Sequence, residues 1–340
     1  MGRFAAVAIA LVTLVVTACA GLPGQSAPVD VITPSRADKV VHDYWSVNEQ
    51  AFTTYNPDLL IKIESTPLLE AQAASIKAAK AAGDPMLKSA RPLKKVTIYV
   101  PHQPSYPAQF IALVETVKVD GSGNPTQEAM DFYYRFAQPS ENAPWKANFF
   151  VLANLDSPAR IAVGRDGFVT LISPGDASYV VDPKQLPGSL ARYLNSGVAS
   201  GSPQGPFAPG HLTTDAVTSL RKYRDTMTKL GYTVDLSYQP GQFFDAYRGA
   251  DGRAVVLFNL QSTDKIAVPD GLHCIVQPKD NLHRWGGLVA PGSYSQLVEG
   301  RLLQFVATDP AKKAGTAIDV PAYVETQVSA ETSPADPACR

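Results

Sequence analysis

The chain alternates twice between stretches with helical apolar spacing and longer stretches of strand-like segments. Apolar residues recur every three or four positions within 35–82, and β-branched and aromatic runs separated by turn residues follow within 96–172. The same order returns in 183–308. Because short loops join antiparallel neighbours, helices followed by closely spaced strands predict an α+β fold with antiparallel sheets.

We therefore expect two tandem modules, each with helices packed on a curved antiparallel β-sheet. The first is predicted to span residues 35–178 and the second residues 179–328, with a tail at 329–340. A rival boundary lies in the run 197–211, which is dense in Gly, Pro and Ser. The order of elements in each module resembles that of cystatin-like and nuclear-transport-factor-like domains, although no motif carries this resemblance.

Local signals give the expected boundaries of several elements. Ser35, with Asp38 three residues later, predicts the start of the first helix, and a second helix is expected at Pro67–Ala82 after a Thr66 cap. In the second module one helix is expected to end at Gly197. A further helix is expected from near Thr213 to Gly231. Strands are expected to follow it at Tyr232–Tyr238 and Phe243–Tyr247.

The first nineteen residues form a separate signal. Arg3 precedes fifteen uncharged residues, fewer than the roughly 20 that span a bilayer as a helix. Val16, Thr17 and Ala18 then stand immediately before Cys19, and this arrangement resembles the signal peptide and lipobox of an exported bacterial lipoprotein of the actinobacterial type. The alternative is an ordinary secretory signal cleaved after Ala18 or Ala20, with Cys19 incidental.

The lipoprotein resemblance implies a location in the cell. Residues 1–18 would be removed, Cys19 would carry acyl chains that anchor the protein to the cell membrane, and residues 19–34 would form a flexible tether. The mature chain would face the extracytoplasmic side. Loss of Arg3 changes the formal net charge from -1 to -2, and such a balance, without a basic cluster, argues against nucleic acid as a partner.

Assigning Cys19 to lipidation leaves two cysteines, Cys274 and Cys339, in an oxidising compartment. They are candidates for one disulfide, which would attach the end of the chain to the second module. The alternative is a pair of free thiols.

The clearest enzymatic pattern is Ser219-Leu220-Arg221-Lys222, which resembles the Ser-x-x-Lys motif of penicillin-binding proteins and serine β-lactamases. A lysine one helical turn from the serine is placed to act as its base. The Lys-Thr-Gly motif of that family is missing from the sequence. A serine hydrolase of envelope substrates that uses Ser219 and Lys222 is therefore the alternative function.

The sequence predicts neither a metal site nor a cofactor, because its five histidines lack zinc spacing and no nucleotide-binding motif is present. Aromatic residues give the only binding signal. Alternation places Phe132, Tyr134 and Phe136 on one face of a strand, where they could line a cavity together with Tyr44 and Trp45 of the first helix. The alternative is that these rings simply fill the core.

These patterns together favour a membrane-anchored envelope lipoprotein with a non-enzymatic binding or scaffolding role. Its partner would be a protein or an apolar ligand reachable from the membrane surface. A cavity that reaches both modules would favour ligand carriage, whereas packed cores with an exposed apolar patch would favour a protein partner.

Overall fold

A computed structural model describes residues 30–83, 91–120, 122, 124–153, 159–269, 274–277 and 288–335 of the chain. Its elements form two antiparallel sheets, each with helices on one face, and this confirms the predicted α+β fold of two modules. The two sheets pack against each other through their remaining faces. The layers therefore follow the order helices, sheet, sheet, helices.

The first module begins with two helices that lie on a four-stranded sheet. Its sheet has the simple order β1-β2-β3-β4, in which every neighbour is antiparallel. The elements are α1 (Pro34–Thr53), a 3₁₀ helix (Pro57–Lys62), α2 (Leu68–Ala82), β1 (Leu93–Tyr99), β2 (Ala108–Val119), β3 (Pro125–Gln138) and β4 (Lys146–Leu152).

The second module repeats this plan with longer strands. The central strand of its five-stranded sheet, β8, pairs with β6 and β7 along one edge and with β9 along the other, while β5 pairs with β6. The elements are α3 (Leu186–Ser200), α4 (Ala216–Lys229), β5 (Thr233–Arg248), β6 (Ala254–Ala267), β7 (Ile275–Gln277), β8 (Gly292–Asp309) and β9 (Asp319–Pro334).

Alternation along the strands divides the core into layers. On β3, Phe132, Tyr134 and Phe136 pack beneath α1, whereas Tyr133 points to the opposite face and joins the cluster between the sheets. The second sheet shows the same alternation on β6. Val256 and Phe258 pack beneath α3, whereas Val255 and Leu257 pack against the first sheet. The two modules therefore share one apolar cluster and bury it jointly.

Strand β9 forms an outer edge of the second sheet. Among the described residues it pairs only with β8, and α2 of the first module packs beside it. This contact brings the helices of the first module next to the last strand of the second.

Three element boundaries differ from the sequence predictions. Helix α1 begins two residues earlier, because Thr33 rather than Ser35 is the N-cap and Pro34 occupies the first turn. Helix α2 begins at Leu68 and not at the predicted Pro67. Helix α3 continues past Gly197 to Ser200. Gly197 instead allows close packing, since a Cβ there would lie 2.6 Å from a methyl carbon of Val217 on α4.

The strand predictions failed in two places. The predicted break between Tyr238 and Phe243 is an irregularity within one long strand, in which Gly241 packs against Asn259 of β6. The sequence patterns do not predict strand β9. The predicted tail begins at residue 329, but β9 continues through that position to Pro334.

Among the described residues, no helix is both long enough and apolar enough to cross a membrane.

Candidate functional site

A cavity of about 320 Å³ lies where the two modules meet. Its walls come from α1, α2, β3 and β4 of the first module and from β9 of the second. Ligand pockets commonly have volumes of about 300 to 1,000 Å³, so this cavity suits a small molecule. It is lined by Trp45, Asn48, Glu49, Phe52, Thr53, Leu68, Ala71, Gln72, Ser75, Arg91, Phe132, Tyr134, Phe150, Val324, Glu325 and Thr326.

Aromatic rings form one wall of the cavity. Phe132 and Phe150 stack with their centroids 5.2 Å apart, and Tyr134 lies 5.2 Å from Phe150 and 6.3 Å from Trp45. Trp45 is held in place because its indole N–H donates to the carbonyl of Arg91 at 2.9 Å. The rings are thus fixed by one another and by this bond, which gives a rigid apolar surface.

The opposite end of the cavity is polar and buried. Asn48 of α1 donates its amide to Gln72 Oε1 of α2 at 2.7 Å, and it also lies within hydrogen-bond distance of Tyr44 and Glu64. The Tyr44 hydroxyl donates to Glu64 Oε1 at 2.8 Å. All four side chains are buried, and together they join the two helices beneath the apolar space.

Glu64 is fully buried, and its Oε2 has no hydrogen-bond partner among the described residues. Its backbone is fixed beside β4, where Ser65 N–H donates to the carbonyl of Ala147 at 2.9 Å. Burial raises the pKa of Glu64 to about 8, against the hydrogen bonds from Tyr44 and Asn48 that favour the charged form. At pH 7 this carboxyl group is therefore predominantly protonated, and the buried end carries no net charge.

The charged lining residues mark the open end of the cavity. Glu49 and Arg91 are partly exposed and Glu325 is exposed, and Glu49 Oε1 accepts the backbone N–H of Arg91 at 2.8 Å. Glu325 forms an ion pair with Arg301 of β8, which also contacts the buried carboxylates of Asp264 at 3.1 Å and Glu299 at 2.9 Å. This network holds the β9 side of the opening in place.

Only some of the five residues that the sequence suggested for ligand binding line the cavity in the structure. Trp45, Phe132 and Tyr134 line the cavity. Tyr44 and Phe136 do not, because they pack edge to face at 5.2 Å inside the core under α1. These two side chains therefore fit the alternative interpretation, in which the rings fill the core.

The other sequence candidates lie elsewhere. Ser219 and Lys222 are both exposed on α4, and neither lines the cavity. Cys274 is disulfide-bonded, whereas Cys339 lies outside the described residues, so the predicted pairing of these two cysteines stays a prediction. Cys19 and the lipobox residues Val16, Thr17 and Ala18 also lie outside the described residues.

Sequence reasoning missed the polar end of the cavity. Asn48 follows Tyr44 by four positions and so interrupts the apolar stripe of α1, and a polar residue in such a stripe is the signal that was overlooked. Gln72 interrupts the stripe of α2 in the same way. Glu64 and the β9 residues gave no local signal, since only the tertiary fold brings them to the cavity.

In the part of the chain that the structure describes, no group of three or more His, Cys, Asp or Glu side chains is arranged to hold a metal ion.

The fold and the cavity define a class: an α+β protein of two helix-covered sheets packed face to face, with a ligand-sized space at the junction. Comparison with known families matches residues 28–332 to DUF8094, a domain of unknown function. The chain therefore belongs to the DUF8094 family, whose domain covers nearly all of it. Comparisons with curated proteins and with solved structures found no match.

Proposed function

We propose that this protein is a membrane-anchored lipoprotein on the extracytoplasmic side that binds a small, mostly apolar ligand and carries out no chemistry on it. The cavity of about 320 Å³ is the observation that carries the binding part of the proposal. Its aromatic wall removes apolar ligand surface from water, and each Å² so buried contributes roughly 25 cal/mol.

The position of the cavity supports ligand carriage over a scaffolding role. Residues of both modules line it, with Trp45 and Phe132 from the first and Val324 from the second. A ligand in this space would contact both modules at once and would favour their packed arrangement by mass action. The anchoring part of the proposal rests on the resemblance of residues 1–19 to a lipoprotein signal.

Binding of the fluorescent apolar probe N-phenyl-1-naphthylamine to the mature protein tests this proposal. Ala71 is buried on α2 and lines the cavity, so Ala71→Leu fills part of the space without introducing a polar group. Ala81 is exposed near the end of the same helix, and Ala81→Leu is the matched control. We expect saturable fluorescence enhancement in the wild type and the control, with affinity roughly tenfold lower in Ala71→Leu.

Equal affinity of the probe for all three proteins would place its binding elsewhere and contradict the proposal, as would no binding at all. Circular dichroism and thermal unfolding of each variant verify that the fold is retained.

A further inference from the structure

The buried end of the cavity holds two hydrogen-bonding groups that the protein leaves unused. Asn48 uses its amide nitrogen in bonds to Tyr44, Glu64 and Gln72, so its Oδ1 remains an unpaired acceptor. Gln72 uses its Oε1 in accepting from Asn48. Its Nε2 carries two N–H groups, of which the Tyr44 hydroxyl takes at most one, so one N–H remains a free donor among the described residues. Neither atom is sealed off within the described residues, and both side chains line the cavity.

A ligand that displaces water from these two atoms without replacing its hydrogen bonds would leave them unsatisfied, which is costly. The free acceptor of Asn48 and the free donor of Gln72 belong to side chains that are themselves hydrogen-bonded at 2.7 Å. The two amide groups are therefore in direct contact, and they bring one donor and one acceptor to the same end of the cavity. A ligand group that presents an acceptor beside a donor satisfies both atoms at once.

The charges around this end select an uncharged group. The side chains there are amides, the Tyr44 hydroxyl and the Glu64 carboxyl, which is protonated at neutral pH. The charged lining residues Glu49, Arg91 and Glu325 belong to the partly exposed opening instead. An ionised ligand group would lose its hydration at the buried end without meeting an opposite charge.

The body of the ligand faces the aromatic wall. Phe132, Phe150, Tyr134 and Trp45 present fixed rings whose neighbouring centroids are 5.2 to 6.5 Å apart, and such surfaces pack best against another flat ring. Val324 and Leu68 extend the apolar surface beyond the rings.

We infer that the cavity takes a ligand with an uncharged carboxamide-type group, one donor beside one acceptor, on an apolar ring-containing body. This inference rests on the proposed ligand-binding function. The carboxamide oxygen accepts from Gln72 Nε2, its N–H donates to Asn48 Oδ1, and the ring lies against the aromatic wall.

Three naphthalene derivatives of similar size separate the contributions. The probes are 2-naphthamide, with donor and acceptor, 2-acetylnaphthalene, with the acceptor alone, and 2-naphthoate, which is ionised at neutral pH. Their affinities for the mature protein are measured by displacement of N-phenyl-1-naphthylamine and by calorimetry. We expect 2-naphthamide to bind roughly fivefold tighter than the ketone, about the effect of one hydrogen bond, and 2-naphthoate to bind most weakly.

Variants assign the preference to the two residues. Asn48→Leu removes the acceptor that takes the amide N–H, so it should abolish the preference for the amide over the ketone while apolar binding persists. Gln72→Met keeps the length of the side chain and removes its donor, so it should weaken the amide and the ketone alike. Gln50→Leu is the control, because Gln50 is exposed on the same helix as Asn48 and does not line the cavity. This variant should keep the wild-type preference.

The outcomes distinguish the inference from the proposed function. If all three probes bind with equal affinity, or if Asn48→Leu keeps the amide preference, the inference is overturned and ligand binding stands. If neither the fluorescent probe nor any naphthalene derivative binds, the proposed function fails and the inference fails with it.

Discussion

Arg135 of β3 and Asp245 of β5 form an ion pair that joins the two modules through the packed faces of their sheets. Both side chains are buried. The remaining guanidinium donors bond to Asn148 Oδ1 at 3.1 Å and Gln109 Oε1 at 2.6 Å, and Tyr247 donates to Asp245 at 3.3 Å. The apolar cluster between the sheets contains Phe244 and Tyr247, the chain neighbours of Asp245, so the pair links the two sheets within a largely apolar layer.

Removing one partner of this pair should be strongly destabilising. Arg135→Met leaves Asp245 buried without its cation, and the loss of one partner of a buried pair typically costs about 3 to 5 kcal/mol. The double variant Arg135→Met, Asp245→Leu removes both charges and should recover much of that loss. Urea denaturation of the single and double variants measures these changes.

A matched control comes from an exposed pair. Lys39 and Asp43 lie one helical turn apart on the outer face of α1, so Lys39→Met should leave the free energy of unfolding almost unchanged. An Arg135→Met variant as stable as this control would show that the buried pair does not hold the modules together.

Titration of Glu64 should make the free energy of unfolding depend on pH. Its pKa is about 8 in the folded protein against 4.5 for an ordinary glutamate, so between these values the folded state holds a proton that the unfolded state has released. The free energy of unfolding should therefore fall as pH rises from about 4.5 to 8. The other titratable groups packed close to it, Tyr44 and Tyr134, have pKa values raised by burial and remain neutral in this range.

Glu64→Gln removes this titration while keeping an oxygen that can accept from Tyr44. Its stability relative to the wild type should rise across the same pH window, as measured by urea denaturation at each pH. Glu70→Gln, which changes an exposed carboxyl group on α2, is the control, and its curve should run parallel to the wild type. Parallel curves for both variants would mean that Glu64 does not titrate in this window.

Much of the fold follows from patterns that are local in the sequence. The apolar periodicity of α1, α2 and α4 and the β-branched runs of β2, β4 and β6 are set by which face each residue must bury. The sequence patterns did not predict strand β9, because it is an edge strand with polar side chains. Glu325 and Gln327, for example, hydrogen-bond to polar side chains of β8. Its sequence therefore lacks a clean apolar alternation.

The site was predictable only in part. The aromatic alternation on β3 correctly separated Phe132 and Tyr134 from Tyr133, because strand geometry alone decides the face. Which ring borders open space depends on how β9 and α2 meet, and residues more than 200 positions apart in the chain form that contact. No local pattern encodes such an arrangement.

The disulfide partner of Cys274 is open to a direct test. Cys274 is disulfide-bonded, and Tyr232 of the turn after α4 donates to its carbonyl at 3.2 Å. We expect Cys339 to be its partner, which would join the chain end to this corner of the second sheet. Peptide mapping of the unreduced mature protein should recover one cross-linked peptide pair that contains both cysteines.

The stability of that region provides a second measurement. A bridge across 65 residue steps is worth up to about 4 kcal/mol in the chain-entropy model, so Cys339→Ser should lower the free energy of unfolding. Two reactive thiols in the denatured, unreduced protein would contradict the pairing.

Cys19 carries the anchoring part of the proposed function. If the lipobox is processed, the mature chain begins at Cys19 and gains the mass of its acyl chains, and two or more chains hold a protein stably on a membrane. Cys19→Ser removes the thiol that accepts the lipid, so the variant should lose the acyl mass and leave the detergent phase in phase partitioning. Ser26→Ala, a change within the predicted tether, is the control and should remain membrane-bound.

A wild-type chain that begins at Cys19 without acyl mass would instead support ordinary secretion. In that case the ligand-binding proposal would persist, because the cavity is built entirely from residues beyond position 44.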